Sequence, residues 1–191
     1  MPLEQLLSSG TVLPITRWGQ PVLHRPCRPV TEFGPALWKL LCDMFATNTA
    51  ASGAGLAAPQ IGVDLAVFVY DCIDAFDRRR QGLVCNPKVS LAIEPEALTD
   101  YEGCLSLPGA YLPLARPDFA ICHGQDQVGK PVTVKGTGTL ARCLQHETDH
   151  VNGIVMEDHL TASERRDLRR QYKRAAASYP GGWPASPPNW L

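Results

Sequence analysis

The string HETDH at residues 146–150 restricts the folding of this chain more than any other sequence feature. On a helix, residues four apart lie one above the other at about 6 Å, so both imidazoles can reach one metal ion. Glu147 then projects beside them, where metal-assisted hydrolysis uses a carboxylate. We therefore predict a helix that begins near Thr137 or Thr139 and ends at the Asn-Gly pair 152–153, which suits a left-handed cap.

The string alone leaves the kind of site open, because two histidines on a helix can also be partly buried residues without a metal. A catalytic metal site takes three protein ligands and keeps one position open, so the third ligand distinguishes the possibilities. The longer pattern H-E-x-x-H-x-x-G-x-x-H is matched until Met156 replaces its last histidine, and a thioether binds zinc or ferrous iron poorly. Glu157, Asp158, His159 and the cysteines remain candidates.

Two of the cysteines lie near this chemistry in the sequence. Cys143 would face the same way as His146 and His150, but its Cα would lie about 10 Å along the axis from that of His150. We interpret Cys143 as a small apolar wall residue. Cys104 follows a predicted strand and precedes Pro-Gly, where a turn can present a thiolate, although the residues alone favour a buried, inert thiol.

Composition excludes several classes of protein. With 18 Lys+Arg against 19 Asp+Glu, the net charge of −1 is too small for a nucleic-acid binder that relies on overall charge. The seven cysteines are odd in number and form no Cys-x-x-Cys pair, which argues against a disulfide framework and predicts a reducing cytosol. Residues 1–10 show no export signal, and the most apolar stretch, 55–70, is interrupted. We expect a cytoplasmic protein with no membrane or DNA partner.

Outside the motif helix, the pattern predicts short elements. A first helix begins at Pro35 and extends through Ala46, and a third runs from a capping box at Thr161 to about Ser178. Residues 53–62 have the small, loop-forming composition GAGLAAPQIG, and 180–191 are predicted to form a mobile tail. Short strands are expected at 65–70, 83–85, 98–101, 119–123 and 131–135.

Three segments carry a resemblance to a known family. GAGLAAPQ (53–60), EGCLS (102–106) and QHETDH (145–150), in this order and at these separations, resemble the three signature motifs of peptide deformylase. The similarity extends from about Ile15, through a GQPVL segment at 19–23, to about Leu160.

The resemblance implies a metal site and a reaction. Cys104, His146 and His150 are implied to bind one divalent metal ion, with Fe(II) expected natively and zinc or nickel possible in a purified sample. Tetrahedral Cys-His-His ligation alone would suggest zinc. The implied reaction is hydrolysis of the N-formyl group from the formyl-methionine of newly synthesised polypeptides, releasing formate.

The resemblance also implies roles for other motif residues. Glu147 takes a proton from the attacking water and returns it to the leaving amine, while the Gln60 side-chain amide and the Leu105 backbone N–H stabilise the oxygen that becomes negative. Substrate binding is assigned to Gly55, Gly109 and Cys143. Glu102 is expected to hold the loop that presents Cys104, and Asp149 or Arg142 to anchor the metal helix, with structural charge pairs as the alternative.

For the whole chain, we expect an α+β fold: short antiparallel β-sheets packed around a central metal-binding helix, with an N-terminal and a C-terminal helix. Residues 1–160 would form the catalytic domain, 161–178 a basic helix and 179–191 a Pro/Gly/Trp-rich tail. The family works at the ribosome, so the basic helix is a hypothetical rRNA contact through Arg165, Arg166, Arg169, Arg170, Lys173 and Arg174.

Two alternatives remain. The first is a zinc endopeptidase that uses His146 and His150 with Glu157, Asp158 or His159. The second is a catalytically inactive metal-binding module, which the presence of both Glu147 and Gln60 disfavours.

Overall fold

A computed structural model describes residues 1–91 and 97–185, and for Leu91 the backbone alone. The helices are α1 (Leu3–Ser8), α2 (Pro35–Ala50), α3 (Gly138–Val151) and α4 (Ala162–Ala175). The strands are β1 (Gly55–Ala57), β2 (Val67–Ile73), β3 (Arg79–Leu91), β4 (Ala97–Gly103), β5 (Tyr111–Pro117), β6 (Phe119–Gln125) and β7 (Pro131–Thr137). Within these described ranges the expectation of an α+β fold is confirmed.

The strands form two antiparallel sheets. Five of them pair in the order β1-β2-β3-β6-β7, and β4 pairs with β5 in a separate two-stranded sheet. The register between β3 and β6 shifts between Cys85 and Lys88, next to Asn86, whose φ of 52° is left-handed. Irregularities of this kind interrupt the ladder locally and bend the strand that carries them.

Helix α3 lies against the five-stranded sheet and is buried along most of its length. Its apolar residues Leu140 and Leu144 belong to one hydrophobic cluster with Phe68, Val84 and Cys122 of the sheet. The predicted bounds of this helix are confirmed, since it begins at Gly138 and ends just before the predicted Asn-Gly pair. Because the sheet and the helix share this cluster, the histidine face is held at a defined orientation.

Two further clusters complete the interior. Helix α2 packs Leu41, Met44 and Phe45 against Leu56 of β1 and Val67 of β2. Beneath the two-stranded sheet, a smaller cluster joins Cys104, Leu107, Leu112 and Met156 with Leu168, which is the buried residue of α4. The loop that carries Cys104 is thus packed against the C-terminal helix.

The capping box predicted at the start of the last helix is confirmed. The Thr161 backbone N–H and hydroxyl donate to the Glu164 carboxylate, at 2.8 and 2.6 Å, while the Glu164 N–H donates to the Thr161 hydroxyl. Helix α4 then ends at Ala175, and a 3-10 turn continues to Ser178.

Several predictions were incomplete or wrong. The segment 53–62 contains the short strand β1, β5 was not predicted, and the strand expected at 83–85 is the much longer β3. A short helix, α1, precedes the helix that was predicted to be first.

The mobile tail was also wrong for residues 180–185. Trp183 is only 5% exposed and packs in the cluster of α2. The rest of that prediction, 186–191, lies outside the described residues. Among the residues that are described, no helix is long and apolar enough to cross a membrane.

Candidate metal centre

Helix α3 places both histidines of the HETDH string in the interior. His146 and His150 are one turn apart, their rings meet edge to face with centroids 4.8 Å apart, and their Nε2 atoms are 3.1 Å apart. Both residues are buried. A single ion between the two Nε2 atoms would therefore contact both imidazoles without any movement of the helix backbone.

Cys104 brings a thiol to the same point from a different element. It follows the last residue of β4, in a turn closed by the Leu107 N–H, which donates to the Cys104 carbonyl at 2.8 Å. Its Sγ lies 3.2 Å from His150 Nε2, and ligand atoms of Cys104, His146 and His150 all lie within 4.8 Å of one another. A thiolate and two imidazoles suit zinc, iron or nickel, so this donor set fits the group that the motifs imply.

A buried ion-pair network orients the first histidine. Glu102 Oε1 lies 2.7 Å from His146 Nδ1, and Arg116 holds the same carboxylate through two hydrogen bonds of 2.8 Å. Arg142 adds a third donor at 2.9 Å. Since Nδ1 is engaged by a carboxylate, His146 presents Nε2 toward the cluster, as second-shell carboxylates do for metal-binding histidines.

Glu102 was expected to hold the loop that presents Cys104, and its contact with His146 was not predicted. Arg116 was not predicted either; it donates to Asp149 of α3 at 2.9 Å and so ties β4, β5 and α3 together. The position of Glu102 two residues before Cys104 was a usable signal. Arg116 had none, because β5 itself was not predicted.

The surroundings favour the ligating form of the thiol. Burial by itself opposes ionisation, but the charges of His150 and His146 and their hydrogen bonds hold the pKa of Cys104 well below its usual range. Burial would also lower the pKa of His146, yet its hydrogen bonds to Cys104 and Glu102 hold that pKa well above the ordinary value. Because metals bind the thiolate, this environment prepares Cys104 for ligation.

Glu147 lies beside the cluster in a different electrostatic environment. Burial, which the positive charges of His146 and His150 only partly offset, raises the pKa of its carboxyl group to about 7. Its Oε2 atom is buried and has no hydrogen-bond partner among the described residues. A carboxyl group with a pKa near neutrality can both accept and return a proton.

Gln60 and Leu105 both lie next to Cys104, the first in space and the second in sequence. The Ala57 N–H donates to Gln60 Oε1 at 2.8 Å, and Gln60 Nε2 lies 3.6 Å from Cys104 Sγ. The amide is therefore oriented with its donor group toward the site. Leu105 follows Cys104 in the same turn and lines the adjoining cleft.

A cleft of about 270 Å³ adjoins the cluster, and its walls include Gly55, Gln60, Leu105, Gly109, Cys143 and Glu147. There is no room for a side chain at position 55, because a Cβ on Gly55 would lie 2.6 Å from Glu147 Oε1 and 2.7 Å from Cys143 Sγ. Cys143 Sγ lies 3.3 Å from the Ala54 carbonyl oxygen, at the base of the same wall.

Gly109 also lines the cleft. Its φ of 78° is left-handed, and a Cβ there would lie 2.4 Å from the Ala175 Cβ at the end of α4. All the residues predicted to form the site are therefore brought around one cluster and one cleft.

The third ligands of the endopeptidase alternative are engaged elsewhere. His159 Nε2 lies 2.8 Å from Asp149, Asp158 accepts from the Val155 N–H at 2.9 Å, and Glu157 pairs with Arg169. An α+β fold that buries a Cys-His-His cluster beside a glutamate and a cleft defines a metal-dependent hydrolase.

Comparison with known proteins gives the family. The sequence model of the family described as polypeptide deformylase matches residues 12–166. Peptide deformylase 1 of Streptomyces avermitilis is 55% identical over 173 residues, covering 90% of this chain and 80% of its own length. The peptide deformylase of Mycolicibacterium paratuberculosis is 44% identical over 181 residues, with 89% and 92% covered.

A solved structure agrees. The crystal structure of a peptide deformylase from Legionella pneumophila superposes with a TM-score of 0.79 at 38% identity, covering 89% of this chain and 100% of that one. The chain belongs to the peptide deformylase family, whose members use a single metal ion to remove the N-formyl group from nascent polypeptides. It is a hydrolase of protein biosynthesis.

Proposed function

We propose that Cys104, His146 and His150 hold the metal ion of this deformylase. The observation that carries the proposal is the convergence of their three ligand atoms within 4.8 Å in a buried position. The Glu102 carboxylate supports it by engaging His146 Nδ1, which leaves Nε2 for the metal.

We propose Fe(II) as the native metal, with zinc or nickel able to replace it. Soft thiolate and imidazole donors accept all three ions, so the donor set supports a transition metal over magnesium or calcium. Metal analysis of protein purified under anaerobic conditions tests this assignment. Iron near one equivalent per chain is expected, and zinc alone from iron-replete cells would contradict it.

The catalytic work of the chain is divided between Glu147 and two hydrogen-bond donors. A bound metal ion supplies Lewis acidity, which acidifies water and polarises a carbonyl oxygen. Glu147 accepts the proton of the attacking water and returns it to the amine nitrogen as the formyl C–N bond breaks. Its pKa near 7 suits both transfers. The Gln60 amide and the Leu105 N–H donate to the formyl oxygen as it becomes negative.

The cleft is assigned to the N-formyl-methionyl end of a nascent peptide. Gly55 belongs to the sheet edge at the cleft wall, where an extended peptide can pair as an added strand. Cys143 forms part of the slot for the methionine side chain, and Gly109 also lines the cleft.

The variant Cys104→Ala tests the ligand set. We expect it to lose bound metal and formate release from a formyl-methionyl peptide, because two imidazoles alone hold the ion weakly. Cys27→Ala, at a half-buried cysteine outside the cluster, is the matched control and keeps both properties. Full metal content in Cys104→Ala would contradict the assignment and would favour an endopeptidase-type site.

We also propose that α4 contacts ribosomal RNA. Six basic residues lie within residues 161–174, and five of them are exposed: Arg166, Arg169, Arg170, Lys173 and Arg174. Three of the six make local contacts: Arg165 donates to the Leu160 carbonyl, Arg169 pairs with Glu157 and Arg170 pairs with Asp167. Exposed arginine and lysine on one helix suit phosphate contacts whose strength falls with salt.

Charge reversal of Arg166, Lys173 and Arg174 tests the ribosome proposal. We expect loss of salt-sensitive co-sedimentation with ribosomes, while reversal of Lys88, Lys130 and Lys135, exposed elsewhere, leaves it intact. Unchanged co-sedimentation of the α4 variant would contradict the proposal.

We further propose that residues 1–160 form the catalytic domain and that 161–178 and 179–191 are additions with their own roles. The placement of the motif residues before Leu160 supports this division. Nascent polypeptides as substrates support a cytoplasmic site of action.

A further inference from the structure

The segment after α4 returns to the body of the protein and is held there. Arg17 Nη2 donates to the carbonyl oxygens of Tyr179 and Pro180, at 3.2 and 2.9 Å. The Ile15 N–H donates to the Trp183 carbonyl at 2.9 Å, and the Arg17 guanidinium lies 5.5 Å from the centre of the Trp183 ring. These four contacts from Ile15 and Arg17 give the segment a defined position.

The two aromatic rings of the segment lie on the cleft. Tyr179 and Trp183 meet edge to face, with centroids 5.1 Å apart, and both line the same cleft as Gly55 and Glu147. Trp183 belongs to the hydrophobic cluster against which Leu105 packs. Leu105 directly follows the proposed ligand Cys104 in the sequence. The aromatic pair is therefore part of the cleft wall.

Tyr179 also packs against the turn at Gly109, which lines the cleft. A Cβ built on Gly109 would lie 3.2 Å from Tyr179 Cε2, so the ring packs against the backbone of that turn. Burial, together with the nearby Tyr111 hydroxyl, raises the pKa of Tyr179. The ring is thus a neutral, mostly apolar surface in the cleft wall.

The place of the two rings in the cleft wall can be compared with the path of a bound, extended peptide. An extended peptide advances about 3.3 Å per residue, so residues that follow formyl-methionine move progressively away from the metal ligands along the cleft. Cys143 and Glu147, which border Gly55, occupy the inner part. The aromatic pair lines the same cleft, with Tyr179 packed against the turn at Gly109.

We propose that Tyr179 and Trp183 form a contact site for the residues after formyl-methionine and select large apolar side chains there. The inference rests on the proposed assignment of the cleft to the substrate. Aromatic rings bury apolar area and add edge or face contacts, so removing one ring weakens binding of an apolar side chain most.

The experiment compares kcat/KM for formate release from formyl-Met-Leu-Phe, formyl-Met-Ala-Ala and formyl-Met amide. For Tyr179→Ala we expect a loss of about 10-fold on formyl-Met-Leu-Phe relative to formyl-Met amide, which lacks the downstream residues. Tyr179→Phe keeps the ring and should keep the wild-type ratio. Phe76→Ala, an exposed aromatic residue outside the cleft, is the matched control and should also keep it.

The ratio of two substrates on one enzyme does not depend on how much of the variant is folded, so reduced stability does not obscure the result. Trp183→Phe, which keeps a ring in the buried position, provides a second variant with a smaller expected shift. An equal loss on all three substrates, or no change in the ratio for Tyr179→Ala, would overturn the proposal. Absence of formate release by the metal-loaded wild-type protein would instead reject the proposed site.

Discussion

At the scale of single residues, the Glu102 carboxylate joins three side chains beside the candidate metal centre. It is buried, receives hydrogen bonds from Arg116 and Arg142, and engages His146 at 2.7 Å. Burial would raise its pKa, but the hydrogen bonds and charges of His146 and Arg116 hold the pKa of Glu102 well below its usual range. It is therefore a permanent anion that can fix the orientation and basicity of a ligand histidine.

The first prediction concerns this contact. Glu102→Gln should lower metal affinity by roughly 10- to 100-fold, because the amide keeps the shape but loses the charge opposite His146. Competition with a chromophoric chelator measures the affinity. Asp100→Asn, on an exposed part of β4, is the control and should bind as the wild type does. Equal affinities for Glu102→Gln and wild type would show that the contact is structural.

The two histidines of the site could be predicted from the sequence for a physical reason. A helix places residues four apart on one face, so HETDH predicted a histidine pair without knowledge of the fold. The third ligand was not determined in this way, because Cys104 approaches from another element and its role came from resemblance alone. Arg116 and the aromatic pair Tyr179 and Trp183 meet the site only through long-range packing.

At the scale of elements, the period of the hydrophobic residues and the residues that cap helices explain which helices and strands were predicted correctly. Helix α4 has a capping box in its sequence and α3 ends near a left-handed Gly153, with φ of 77°. Strand β5 was missed because Pro113 and Pro117 interrupt its alternating pattern. It tolerates them because, among the described residues, its sheet consists of β4 and β5, and the other side of β5 has no ladder partner there. Strand β1 has only three residues and a glycine, too little for a sequence pattern.

A second prediction tests the start of α4. Thr161→Ala should reduce the free energy of unfolding by about 1 kcal/mol, since it removes the side-chain oxygen that accepts from the Glu164 N–H. Urea titration measures the change. Thr161→Ser retains the oxygen and should lose much less stability. If both variants were equally destabilised, the cap would not be the cause.

At the scale of the whole molecule, the C-terminal part is joined to the site through the interior. Leu168 of α4 is fully buried in one cluster with Cys104 and Met156, and Trp183 is buried with α2. A mobile tail had been predicted from the prolines and glycines after Tyr179. That composition does exclude regular structure, but a turn, the contacts from Ile15 and Arg17, and the buried Trp183 ring hold this segment in place.

The third prediction measures this connection. Leu168→Ala should lower the free energy of unfolding by about 2–5 kcal/mol, because it leaves a cavity beneath the Cys104 turn. Arg166→Ala, at an exposed position of the same helix, should change it by less than about 0.5 kcal/mol. A change for Leu168→Ala as small as that of the control would mean that α4 is only loosely attached.

The central claim is that Glu147 transfers the proton for a hydrolysis whose metal is held by Cys104, His146 and His150. The most direct measurement is formate release from a formyl-methionyl peptide by nickel-loaded wild-type and Glu147→Gln proteins at equal metal content. We predict rapid release by the wild type and a loss of about 100-fold or more in Glu147→Gln, with its metal retained. Equal rates for the two proteins, or no formate from the fully metallated wild type, would contradict the account.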